Sequence, residues 1–274
     1  MTMIFKGRFE DKVMIITGAS RGIGKATAKR AAAEGAKVVL VDIRAEQGEE
    51  VIREITESGG EGIFLNLDIS KQENADRMVQ ETVQHFGKLD IAVNNAGVMG
   101  NPSPLHNLKK EDMDYTMANN FYSVYFCCKS ELSQFLSQGT GGVIVNNASI
   151  AGVTGLPGNP AYVSSKHAVN GLTKNLALDY ARYGIRVNSV NPAGTATPMV
   201  EEAYAFVMKK QKEALDAGLD PKKAQSMAGQ KTKTMQEREA TAEEQAASIL
   251  FLVSEDATHM TGAVVQTDGG WTSF

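Results

Sequence analysis

Three side chains between Asn147 and Val169 have the types and spacing of an acid/base site: Ser149, Tyr162 and Lys166. Tyr162 and Lys166 stand four residues apart, so on a helix they share a face, one turn from each other. An ammonium beside a phenol favours the phenolate and lowers the phenol pKa from its ordinary value of about 10 toward neutrality. Tyr162 is therefore a candidate general acid and base. Ser149 belongs to another element, after the apolar run Val143–Val145, and its hydroxyl can hydrogen-bond the same substrate oxygen. Taken alone, a Tyr-x-x-x-Lys pair also describes the surface of an ordinary amphipathic helix, so the reading depends on what the rest of the chain supplies.

A second group of residues suits a phosphate-bearing cofactor. Val13–Thr17 is a short apolar run that reads as a buried strand, and Lys25–Glu34 is helix-forming. Between them lie Gly18, Ser20, Arg21, Gly22, Ile23 and Gly24. Glycines there permit a tight turn and close approach of backbone to a pyrophosphate, and the helix start offers free N–H groups and a positive dipole end. A second strand, Lys37–Val41, ends in Asp42. An acidic residue about 20 positions beyond such a turn suits two hydrogen bonds to the adenosine ribose hydroxyls; the alternative is a cap for the helix Ala45–Glu57. Asp68, with Ile69, follows a third strand, Gly62–Leu67, and either touches the adenine or caps the helix beginning near Lys71. Asn95, Ala96 and Gly97, after the fourth strand Leu89–Val93, are small and polar enough to pass under the nicotinamide ribose.

The elements that must position these groups alternate. After the fourth strand comes one long helix, Leu108–Gln138, whose interior Asn120 is mildly unfavourable there and so has either a task or a place on the polar face. Gly142–Val145 is a fifth strand, Ala161–Tyr183 the helix carrying Tyr162 and Lys166, and Ile185–Val190 a sixth strand. The loop that follows contains Pro192, Thr195 and Thr197, at the end of the sheet where the glycine turn is expected. Ala242–Val253 is a further helix and Ala263–Thr267 a last strand. The pattern predicts an α/β fold: a doubly wound, Rossmann-like parallel sheet of about seven strands with helices on both faces. We expect one domain over residues 1–274, with residues 199–239 as a helical substrate lid, because that stretch breaks the alternation and is too long for a plain connection.

Composition narrows the function classes. With 42% hydrophobic and 22% charged residues among 274, the chain can bury a sizeable core. A net charge of −4 and no basic run argue against nucleic acid and anionic membrane as partners. No run of 18 apolar residues exists and the first residues are too polar for a signal peptide. Cys127 and Cys128 are adjacent, rarely a disulfide geometry, and read as reduced thiols in a helix core or subunit interface, pointing to the cytoplasm. The four histidines are scattered without metal-ligand spacing, so no metal is expected.

In combination, Thr17-Gly18-x-x-x-Gly22-Ile23-Gly24, Asn94-Asn95-Ala96-Gly97, Ser149 with Tyr162-x-x-x-Lys166, and Asp268-Gly269-Gly270 resemble the short-chain dehydrogenase/reductase family, in its compact single-domain branch. The resemblance spans nearly all of Phe9–Trp271. It implies a nicotinamide dinucleotide cofactor, interconversion of a secondary alcohol and a ketone by hydride transfer, and a homotetramer or homodimer. It implies that Tyr162 takes the hydroxyl proton, that Lys166 also binds the nicotinamide ribose, and that Ser149 positions the oxygen. The family's fourth catalytic residue, a helical asparagine followed by a small residue three positions on, falls on Asn120 with Ser123, ahead of Asn119; it holds a water that links Lys166 to solvent. Pro192-Ala193 departs from the usual Pro-Gly, which puts the backbone beside the nicotinamide in question. Asp42 favours NAD (NADH) over NADP by placing a carboxylate where a 2′-phosphate must sit. The apolar start of the lid favours a bulky cyclic or steroid-like alcohol. The alternatives are a sugar or polyol dehydrogenase, a 3-oxoacyl thioester reductase and, more remotely, a non-catalytic NAD-binding redox sensor.

Overall fold

The short apolar runs of the chain form one parallel sheet. A computed structural model describes residues 3–216, 218 and 234–273. The strands are β1 (Val13–Thr17), β2 (Lys37–Asp42), β3 (Glu61–Asn66), β4 (Ile91–Asn94), β5 (Gly142–Asn147), β6 (Ile185–Pro192) and β7 (Val264–Thr267). All neighbours pair in parallel in the order β3-β2-β1-β4-β5-β6-β7. The order reverses direction between β1 and β4, which opens a crevice at the carboxyl ends of these two strands.

Alternation along each strand divides the interior into two cores. Met14, Ile16, Val38, Leu40, Val93 and Val145 face one side, where α1 (Gly22–Ala33), α2 (Ala45–Glu57) and α8 (Ala242–Val253) cover them. Ile15, Val39, Val41, Ala92 and Ile144 face the other, under α3 (Gln72–Phe86), α5 (Ser123–Gln138) and α6 (Pro160–Tyr180). Burial on both faces explains why these strands are continuously apolar. Cys127 and Cys128 are free thiols within the second core.

The expected long helix is interrupted. It consists of α4 (Lys110–Met117), a π-helical segment over Ala118–Tyr122, and α5. A π turn inserts one residue per turn and re-aims the side chains it carries. Here it directs Asn120 inward, fully buried, rather than onto the polar face. Asn119, by contrast, bonds back to the Tyr115 carbonyl at 2.8 Å.

One buried polar patch crosses the second core. Asn94 on β4 stands opposite Asn146 on β5, and its amide donates to Asn146 Oδ1 at 3.1 Å and to Glu131 Oε2 at 3.0 Å. Asn146 in turn donates to Thr173 Oγ1 at 3.0 Å. Burial pushes the Glu131 carboxyl up to about 8, with the Asn94 bond opposing.

After β6 comes α7 (Pro198–Asp216). The stretch expected as a lid continues through residues 217 and 219–233, which lie outside the described residues. Its two ends meet: Ala196 N–H donates to the Ala240 carbonyl at 2.9 Å and Ala240 N–H to the Gly194 carbonyl at 3.0 Å.

Candidate active site

Parallel strands point their carboxyl ends one way, so the loops after β1, β4, β5 and β6 collect the predicted residues on one rim of the sheet. Ser149 follows β5 by two residues. Its hydroxyl accepts from Ala151 N–H at 3.1 Å and also acts on the Tyr162 phenol. Tyr162 and Lys166 sit in the first two turns of α6, which Pro160 opens at a position where a missing N–H costs nothing. Lys166 is buried, its ammonium 5.7 Å from the Tyr162 ring centre, and it donates to the Asn147 carbonyl at 2.9 Å.

The electrostatics differ from the expectation. Burial pushes the Tyr162 phenol up, and the Ser149 hydrogen bond pulls it back in part. Burial also pulls the Lys166 ammonium down, to about 8. The predicted lowering of the Tyr162 pKa by Lys166 is therefore not what this geometry gives. The lysine spends its hydrogen bond on a backbone carbonyl, and desolvation is the largest influence on the phenol.

Asn120 joins this cluster from the π segment. Its amide donates to the Val98 carbonyl at 2.9 Å and to Ser165 Oγ at 3.1 Å, while its Oδ1 accepts from Val98 N–H at 2.7 Å. A Cβ on Gly97 would come within 3.0 Å of Asn120 Oδ1 and 3.5 Å of Lys166 Nζ, so only glycine leaves that space open. Sequence reasoning gave no role to Asn147 and Thr17, which join the parts. Asn147 donates to Asn95 Oδ1 at 2.8 Å, and Asn95 donates to the Thr17 carbonyl at 2.9 Å. The Thr17 hydroxyl accepts from Asn95 and Ala96 N–H at 3.0 and 3.1 Å. A polar chain thus runs from the glycine turn to Lys166. Its available signal was the repeated Asn-Asn pair at the ends of β4 and β5.

The glycine turn offers donors for a dinucleotide phosphate and packs too closely for side chains at two of its glycines. The N-terminus of α1 has no side-chain cap and no acidic residue in its first turn, which leaves its first N–H groups for an anion. Gly18 takes φ +64°, and a Cβ there would stand 2.9 Å from the Ala96 Cα. A Cβ on Gly24 would stand 2.1 Å from the Gly18 carbonyl oxygen. Asp42, buried at the end of β2, accepts from Ser20 N–H and Arg44 N–H, both at 3.1 Å. Arg44, not Asp42, is the N-cap residue of α2. Arg21 is paired with Glu202 on α7. Ile23 is half-buried against the first core.

The remaining predicted residues are less uniform. Asp68 accepts from Ser70 N–H at 3.1 Å and from the Ser70 hydroxyl at 2.6 Å, a local turn before α3, and Ile69 beside it is in the core. Pro192 ends β6; Thr195 and Thr197 are buried in the next loop, and a Cβ on Gly22 would meet Thr197 Cγ2 at 3.4 Å. The loop after β6 therefore lies against the glycine turn. Among the described residues, no group of three or more His, Cys, Asp or Glu could hold a metal ion. No helix of the described residues is long and apolar enough to cross a membrane.

The chain matches the family model described as short chain dehydrogenase over residues 12–207. It is 44% identical to a 3beta-hydroxysteroid dehydrogenase of Mediterraneibacter gnavus over 98% of this chain and 97% of that protein. It is 37% identical to a cyclohexanol dehydrogenase of an Acinetobacter species over the full length of both. The crystal structure of a levodione reductase superposes with a TM-score of 0.86 at 34% identity, covering 97% of this chain and 99% of that one.

Proposed function

The chain belongs to the short-chain dehydrogenase family and is an alcohol/ketone oxidoreductase, and from that premise we propose that it is NAD(H)-dependent and acts on bulky cyclic or steroid-like secondary alcohols. The convergence of Ser149, Tyr162 and Lys166 on one rim of the sheet, across from the glycine turn, carries the reading.

A bound nicotinamide dinucleotide supplies the hydride donor or acceptor. The protein's own groups handle the oxygen and its proton. Ser149 fixes the substrate oxygen by a hydrogen bond. Tyr162 takes the proton from the alcohol, or returns it to the ketone oxygen. Lys166, near 8 and so protonated in much of the neutral population, supplies positive charge beside the phenol as it loses its proton. Asn120 and Asn147 orient Lys166 and the backbone around it. Gly18, Ser20, Gly22, Ile23 and Gly24 hold the pyrophosphate, and Asp42 the adenosine ribose. Asn95, Ala96, Gly97, Pro192, Thr195 and Thr197 line the nicotinamide side. Asp68 and Ile69 border the adenine.

The substrate class rests on α7, which begins beside the site and carries Met199, Val200, Tyr204, Phe206, Val207 and Met208. It also rests on relatives named for steroid and cyclic alcohols. The test is turnover of purified protein with NAD⁺ against hydroxysteroids, cyclohexanols, polyols and hydroxyacyl thioesters, read as formation of reduced cofactor. The expected ranking places the steroid and cyclic alcohols first; a clear preference for polyols or thioesters rejects the substrate assignment.

A further inference from the structure

We propose that Glu202, on α7, is a cofactor-specificity residue: it occupies the guanidinium of Arg21 and so withholds it from a 2′-phosphate. This rests on the NAD(H) reading above and adds to it a determinant 181 residues away in sequence from the residue it controls.

The contact is bidentate. Arg21 Nη2 donates to Glu202 Oε2 at 2.8 Å, and Arg21 Nη1 donates to Oε1. Paired donors of this kind are geometrically specific, and they are the same donors that would grip a phosphate. Arg21 is the N-cap residue of α1, and the next residue before it, Ser20, is bonded through its N–H to Asp42. Arg44 Nη1 lies 3.4 Å from Asp42 Oδ1. The fields interlock: besides its main partner Glu202, Arg21 feels a smaller attraction from Asp42, and besides its main partner Arg21, Glu202 feels a smaller one from Arg44. Two cations and two anions thus surround the end of β2, and each cation is already held by a carboxylate.

A 2′-phosphate beside Asp42 needs a free cation to offset repulsion from that carboxylate. Arg44 faces Asp42 itself, and Arg21 is the cation left to serve. With Glu202 in place the local charge balance is zero; without it, one positive charge is uncommitted. As a surface ion pair, Arg21–Glu202 contributes little to stability. Its consequence lies in which ligand the guanidinium meets. Because Glu202 rides on α7, the element proposed to cover the substrate also sets the charge seen by the far end of the cofactor.

Equilibrium titrations of NADH and NADPH, followed by nucleotide fluorescence at low ionic strength, test this without turnover. The proteins are wild type, Glu202→Gln, Arg21→Gln and the double variant. Glu202→Gln should bind NADPH about tenfold more tightly than wild type does, with NADH changed by less than about twofold. In the Arg21→Gln background the same substitution should leave the NADPH/NADH ratio unmoved. Glu202→Asp, which keeps the charge, should stay near the wild-type ratio. The ratio is taken on one preparation, so a partly misfolded fraction cancels. An unchanged ratio in Glu202→Gln, or an equal gain in the double variant, overturns the inference. The starting ratio tests the cofactor reading separately: a wild type that binds NADPH as tightly as NADH rejects the role given to Asp42, while the shift on Glu202→Gln still decides that of Glu202.

Discussion

Tyr162 and Lys166 are displaced from their ordinary titration ranges in opposite senses by one cause, loss of water around the charged form. Removing the phenol oxygen removes the group that exchanges the proton but no part of the glycine turn. Tyr162→Phe is therefore expected to lower kcat by roughly 10²–10⁴-fold while the NADH dissociation constant stays within about threefold; steady-state kinetics retaining more than about a tenth of wild-type kcat would remove Tyr162 from its role. Glu131 is a buried acid of another kind, bonded to the Asn94 amide between β4 and α5. Its folded pKa is about 8 against 4.5 for the free group. Below about 4.5 both states hold the proton and its contribution to stability is fully present. Above that the unfolded chain ionises and the folded one does not, so stability falls as pH rises, until about 8. Glu131→Gln abolishes this slope, and urea midpoints at about pH 5 and pH 8 should show the variant gaining on wild type as pH rises; parallel midpoints would sink the idea. At this scale the sequence is most readable where chemistry fixes a spacing, as between Tyr162 and Lys166. It is mute where two groups meet only through the fold. Nothing in the neighbourhood of Arg21 announces Glu202, and Asn147 gains its part only because β5 ends beside β4.

Elements were legible where their apolar residues recur in a regular pattern. β1 and α2 have the limits their patterns predicted, because a continuous apolar run and a regular stripe leave little choice. The π segment was not legible: one asparagine in a helix marks a cost, but the interruption that resolves it depends on the Val98 backbone, which no local pattern encodes. The same limit applies to α7, whose role turns on what it faces. We propose that it is a lid. Tyr204 is 37% exposed, with Phe206 less so on the same helix, which leaves apolar surface for a substrate to cover. Tyr204→Ala and Phe206→Ala should raise KM for a steroid alcohol by about tenfold and for cyclohexanol by less than about threefold, since a larger ligand buries more apolar area. Equal effects on the two substrates in parallel kinetic series would show that these side chains serve packing instead.

For the molecule as a whole, the covering helices of the second core expose unusual apolar area. Tyr122, Tyr125 and Leu136 on or beside α5, and Leu178 on α6, are 39% or more exposed. Patches of this kind mark association surfaces, and we propose a homodimer or homotetramer. Light scattering behind size exclusion should give two or four times 29.4 kDa, and Tyr125→Glu should shift the population toward the single chain; a wild type that runs as one chain at micromolar concentration contradicts this. The buried Asn94–Asn146 pair has a different reach. A slip of β5 against β4 by two residues, the smallest that keeps every side chain on its own face, would carry Ser149 along the strand by about 6.6 Å. It would also set Asn94 against Ile144 or Ala148 and strand amides in an apolar layer, at about 1–3 kcal/mol for each group left unpaired. The pair works as an alignment key: a chain that closes its sheet out of step is penalised at the strand-pairing stage, so that reaction geometry is proofread by residues that never meet the reactants.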